Sequence, residues 1–350
     1  MSETERRDPH AGAYDEAIAY LHAFGPECHN GFVNHAPMAV EALAMLDLHS
    51  EIMPFVRAYE SRVPRAPAVG AALPPEQWSA ALGNAGLYPR WLGTFRGLLA
   101  ERPLRDVVAE WLARLAPGCL AAAFHGPLMT MAALRAVESG VSAVRLHELA
   151  RGLAYWAATY QPLPGSPSHS ASGEPLGELL RRVRVGDGTE AGAIDAGVHR
   201  CTQNNQEFAA LVSTPRRLEP DPIATIAAAG ARATLTHPAA PVVFVHAITG
   251  PVAFRVFRRW LEDAVFEAAV DWLWQAVAGL NTTFTTMPIG EGKAAAPVPS
   301  RARLIEVALS SRDEHAIKVV EAALHEASFS GSEVALQAAE FACERIRARM

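Results

Sequence analysis

The chain has 350 residues, 50% hydrophobic and 19% charged, enough to bury a large core in one big domain or two ordinary ones. A net charge of −6 and a pI near 6.1 leave no basic footprint for nucleic acid or an anionic membrane surface. The scattered Cys28, Cys119, Cys201 and Cys343 form no CxxC pair and fit reduced thiols in a cytoplasmic protein better than a disulfide framework or a zinc cluster.

Residues 1–12 are polar, open no signal peptide and are expected to be flexible. Residues 12–24 read as a short amphipathic helix stopped by Gly25-Pro26. The segment Asn34-His35-Ala36-Pro37-Met38 then leads into a helix over 39–48, with proline in its first turn. A helix over 50–60, a Pro-rich connection over 62–75, and amphipathic helices over 88–100 and 104–115 follow. Phe124-His125-Gly126-Pro127-Leu128 repeats the order of His, small residue, Pro and apolar residue, ahead of a helix over 129–139. The surrounding run from 117 to 137 is the most apolar in the chain, but His125 and Arg135 argue against a membrane span.

Residues 144–160 read as a strong helix, 162–175 as a Ser/Gly/Pro-rich loop, and 176–184 as helical. The glycines of 186–192 have the wrong spacing for GxGxxG, and no strand–turn–helix unit surrounds them, so no dinucleotide site is expected. Helices are expected over 206–212 and 223–232. The apolar run from Pro241 to His246 is a short strand or a buried helix, and Pro251 is read as opening the next helix over 252–261. Residues 262–280 are helical, 287–299 form a second loop, and helices close the chain over 303–309, 313–327 and 332–349. With few segments alternating at period 2, the fold class is all-α, a single large helical domain. Asn281-Thr-Thr matches a glycosylation sequon but carries little weight without a secretory signal.

The helix over 313–327 has apolar sides separated by a narrow stripe of His315, Lys318, Ala322 and His325. A lysine in such a setting reaches water, pairs with an acid such as Glu314 or Glu321, or loses its charge. His35, His125 and His246 each precede a proline within an apolar neighbourhood. Imidazoles held by different helices of a bundle core are a common way to build a metal site. The bland alternative is that each histidine only hydrogen-bonds a backbone group.

In order along the chain, Asn34-His35-Ala-Pro-Met-Ala-Val-Glu-Ala-Leu, Phe124-His125-Gly-Pro-Leu, Leu153-Ala-Tyr-Trp156-Ala-Ala-Thr-Tyr160, Val245-His246-Ala-Ile-Thr249 and Asp313-Glu-His315-Ala-Ile-Lys318 resemble the questin oxidase-like family, from about residue 14 to residue 345. The resemblance implies an all-helical oxygenase related to fungal enzymes that open anthraquinone rings. It also implies a non-haem iron held by His35, His125, His246, His315 and a carboxylated Lys318. The substrate would be an aromatic or otherwise hydrophobic ring compound used with O2, with NADPH as a candidate reductant. One departure is that Pro127-Leu-Met follows His125-Gly126 where the family pattern has a basic or polar residue, which points to a different substrate-facing lining. On this reading Thr249 and Asp313 orient ligands, although a turn hydroxyl and a helix N-cap explain them as well. Phe124, Tyr155, Trp156 and Trp272 are candidate walls of the substrate site, and homo-oligomerisation stays open. His325 lies about 15 Å along the helix axis from His315, too far to share its ion. Two other readings remain: an NADPH-dependent Baeyer–Villiger-type monooxygenase using a flavin, against which the missing dinucleotide loop argues, and a non-catalytic helical protein that binds hydrophobic metabolites.

Overall fold

The computed structural model of the protein describes residues 8–184, 186, 192–237, 239–286 and 297–349. Helices dominate them: α1 (Ala13–Leu21), α2 (Ala36–Met45), α3 (His49–Tyr59), α4 (Trp78–Ala81), α5 (Tyr88–Glu101), α6 (Leu104–Leu115), α7 (His125–Ser139), α8 (Ala143–Ala158) and α9 (Leu176–Arg181) in the first half. The second half adds α10 (Ile194–Thr202), α11 (Gln206–Val212), α12 (Pro222–Thr236), α13 (Pro241–Phe257), α14 (Asp263–Phe284), α15 (Arg301–Ser311), α16 (Glu314–Ser330) and α17 (Glu333–Arg347). The fold is therefore all-α. Among the described residues the strands are a two-residue parallel pair, β1 (His169–Ser170) against β2 (Arg216–Arg217), which ties the 162–175 loop down.

The element over 241–261 differs most from expectation. Pro251 does not open a helix. It sits inside α13, which runs unbroken from Pro241 to Phe257 and resolves the strand-or-helix question in favour of a buried helix. A mid-helix proline leaves the carbonyl four residues back, here Ala247, without its usual N–H partner. Helix α12 packs against that point through Gly230, where a Cβ would lie 2.2 Å from the Ala247 oxygen. His246 is therefore held within a helix rather than ahead of one. Helix α10 is absent from the sequence reading, and α7 begins at His125 itself. Residues 1–7 and most of the 287–299 loop lie outside the described residues. Asn281 is buried within α14, so the sequon offers no surface acceptor.

Three apolar clusters make the core. The largest gathers α5–α8 and α11–α14 around Trp91, Trp111, Trp156 and Trp274; a second joins α1–α3; a third joins α15–α17 to α12 and α13. Four helices connect them in a closed ring in which α2 touches α7 and α16, and α13 touches α7 and α16. Arg135 of α7 braces this ring from within by pairing with Glu41 of α2 at 3.2 Å and Glu321 of α16 at 2.9 Å. Helix α7 is set against α8 at backbone distance, since a Cβ on Gly126 would lie 2.8 Å from Trp156 Cα. Among the described residues no helix is long and apolar enough to cross a membrane.

Candidate metal centre

Each helix of the ring contributes one histidine near its N-terminal end: His35 as N-cap of α2, His125 as first residue of α7, His246 in the second turn of α13, and His315 as second residue of α16. The sequence-predicted imidazoles thus meet, although 121 residues separate His125 from its neighbour His246. His35 Nε2 lies 2.8 Å from His125 Nε2, and His246 Nε2 lies 3.3 Å from His125 Nε2. Ring centroids are 4.6 Å apart for His35 and His315 and 5.6 Å for His246 and His315. His35, His125 and His315 can each direct one nitrogen to a common point, with those atoms within 4.8 Å of one another.

The opposite ring nitrogens decide what these contacts mean. His35 Nδ1 lies 2.7 Å from the Val33 carbonyl, His125 Nδ1 faces the Ala122 carbonyl, and His246 Nδ1 lies 2.7 Å from the Val242 carbonyl. His315 Nδ1 lies 3.1 Å from Asp313 Oδ1. Carbonyl and carboxylate oxygens only accept, so each Nδ1 carries the donated proton, and the neutral rings of His35, His125 and His246 turn bare Nε2 lone pairs toward one another. Two lone pairs at 2.8 Å repel unless positive charge lies between them. A proton is a poor candidate for that charge. Burial, reinforced by the Lys318 charge and the neighbouring imidazoles, pushes His35, His125 and His246 well below the ordinary histidine range. The donor set fits a transition-metal cation held by imidazole nitrogen, with the other nitrogens anchored as metal-ligating histidines require.

The local chain fixes the His125 ring. Ala122, Ala123 and Phe124 carry φ of 45°, 57° and 69°, three consecutive left-handed residues without a glycine. Such residues store strain of about 1–3 kcal/mol each and persist only when the surroundings enforce them. Here they reverse the chain so that the Ala122 carbonyl meets His125 Nδ1. Asp313 fills both roles considered for it. Its Oδ1 caps α16 by accepting the His315 backbone N–H at 2.7 Å, and it also faces the ring. Burial pushes its carboxyl up, but the His315 contacts outweigh that and leave it lowered and ionised.

Lys318, one turn along α16 from His315, is buried and its Nζ makes no hydrogen bond. The pairing with Glu314 or Glu321 does not form: Glu314 binds Arg62 at 3.3 Å, and Glu321 binds Arg135. Burial brings the Lys318 amine down from 10.5 to about 7, against the pull of Glu314 and Asp313. A small void of about 20 Å³ lies beside it, lined by Glu41, Leu128, Thr249 and Glu321 among others.

The imidazoles lie in the wall of a much larger cavity of about 1090 Å³, which also takes in Tyr59, Arg62, Tyr155, Tyr160 and the first turns of α10. This corrects part of the expected lining. Tyr155 borders the cavity, whereas Phe124, Trp156 and Trp272 do not. Phe124 is fully buried against Gly250, and Trp156 stacks on Phe257 at 5.7 Å with its Nε1 donating to Gly118 O at 3.1 Å. Both aromatics hold helices together. Thr249 also stays out of the cavity; it donates to the Val245 carbonyl at 3.1 Å and lines only the small void by Lys318. His325 is remote from the cluster. It packs on Phe329 at 4.9 Å, and burial lowers it to about 3. Sequence reading missed Tyr59, Arg62 and α10. Tyr59 and Arg62 sit at a helix end and the start of a Pro-rich connection, where no periodic signal marks them.

Compared with protein-family models and with curated proteins, the chain matches none.

Proposed function

We propose that the protein is a metal-dependent oxygenase of the questin oxidase-like kind, acting on an aromatic ring compound of the polyketide class. The observation that carries this reading is the cluster of His35, His125, His246 and His315, each with its Nδ1 set against an oxygen acceptor, beside a buried amine with no hydrogen-bond partner. His35, His125, His246 and His315 would hold an iron ion. Lys318 would supply an anionic oxygen once its neutral amine has added CO2, forming an N–C bond, and the resulting carbamic acid has released its proton to solvent; an ammonium has no acceptor with which to bind a cation. When bound, the iron supplies O2 binding and electron transfer to O2.

The protein's own residues supply the rest. Three of the histidines sit at the extreme N-terminal ends of their helices, where the helix field favours anions over cations. Asp313 and, once carboxylated, Lys318 would offset that field and lower the net charge of the site. The Val33, Ala122 and Val242 carbonyls fix the imidazole orientation, so ligand geometry does not depend on flexible side chains. The cavity volume of about 1090 Å³ accommodates a polycyclic substrate against the imidazoles. Oxygen uptake by iron-loaded protein with a panel of hydroxylated anthraquinones and naphthols tests the reading. Substrate-dependent uptake, lost in Lys318→Ala, is expected; equal uptake in that variant refutes it.

A further inference from the structure

Beside the histidines, the cavity wall has a corner whose hydrogen bonds do not balance. The Tyr59 oxygen accepts the His35 backbone N–H at 3.1 Å. Its own proton finds only Cys28 Sγ, 3.6 Å away, and that thiol points its proton at the Val33 carbonyl at 3.7 Å. A sulfur at this distance is a weak acceptor. A phenol that is 3% exposed therefore keeps a strong donor nearly unspent at the edge of a large cavity. The hydroxyl is held in place: Phe55 stacks on the ring at 5.5 Å, and the Arg62 guanidinium lies over it at 4.3 Å. Arg62 also borders the cavity, where it pairs with Glu314 at 3.3 Å.

Resting on the oxygenase reading, we infer that Tyr59 is a specificity-determining residue whose hydroxyl donates to a carbonyl or phenolic oxygen of the cavity ligand. This corner selects oxygenated rings over plain hydrocarbons of the same shape. Because the hydroxyl exchanges a poor sulfur acceptor for a good oxygen, the gain is a net hydrogen bond, about tenfold in affinity.

The test compares two ligands of the same ring skeleton, 9,10-anthraquinone and anthracene, by quenching of protein fluorescence, with iron content measured in parallel. The wild-type protein should prefer the quinone. Tyr59→Phe should weaken the quinone about tenfold while leaving anthracene and iron content unchanged. Equal weakening of both ligands would indicate a structural role and overturn the assignment, as would no change in either or no quinone binding by the wild type. Cys28→Ala removes the competing acceptor and should keep the preference; its loss would also overturn the assignment. The binding comparison does not need turnover. If the wild-type protein carries no iron yet prefers the quinone, and Tyr59→Phe abolishes that preference, the result would count against the oxygenase and leave the role of Tyr59 standing.

Discussion

Replacing Lys318 with methionine should make the metal-free protein more stable while abolishing its metal site. The amine is buried without a hydrogen-bond partner, and burial lowers it from 10.5 to about 7. At about 1.4 kcal/mol per pH unit, that drop corresponds to at most about 5 kcal/mol of destabilisation when both states are protonated. The sign follows from proton counts. Below about pH 7 folded and unfolded chains both carry the proton, and the folded state bears the full burden of a buried charge. Between about 7 and 10.5 the unfolded amine stays protonated while the folded one is neutral, so stability rises with pH across that window. Methionine is of similar length, apolar, and carries no charge at any pH. Urea unfolding of chelator-treated protein should therefore show Lys318→Met gaining up to about 5 kcal/mol at pH 6 and only about 2 kcal/mol at pH 9. Iron binding should be lost in the same variant. A variant no more stable than wild type at pH 6, or a gain that does not shrink with pH, would refute the claim that Lys318 is an uncompensated amine held for a ligand role.

Asp313→Asn keeps a side chain able to cap α16 but removes the carboxylate on His315, so metal affinity measured against a competing chelator should fall about 10- to 100-fold with little change in urea midpoint. Arg135→Met leaves Glu41 and Glu321 buried without their partner and should lower unfolding free energy by about 3–5 kcal/mol at pH 8. Trp156→Phe should lower stability by about 1–2 kcal/mol through the lost Gly118 bond and contact area, with ligand affinity by fluorescence titration unchanged because Trp156 does not line the cavity.

The imidazoles were legible because sequence marks helix starts well. His35 and His125 stand beside prolines that open α2 and α7, and the stripe carrying His315 and Lys318 follows from helical periodicity. His246 was found by a wrong route, since Pro251 normally marks a start but here lies inside α13, tolerated where Gly230 brings α12 against the freed carbonyl. Phe124 and Trp156 were misassigned because an aromatic at helical spacing does not reveal whether it faces a cavity or another helix. The left-handed run at Ala122 to Phe124 carries no glycine or asparagine to signal it; packing enforces it. The cavity wall around Tyr59 and Arg62 is made by residues that only the tertiary fold brings beside α16.

The central claim is that one cation joins the four imidazoles, and elemental analysis tests it most directly. Protein purified without a histidine tag, alongside His125→Ala, would be assayed for transition metals. The account predicts about one iron per wild-type chain and little or none in the variant. Wild-type protein free of transition metal with its histidines intact, or full metal retention by His125→Ala, would contradict it.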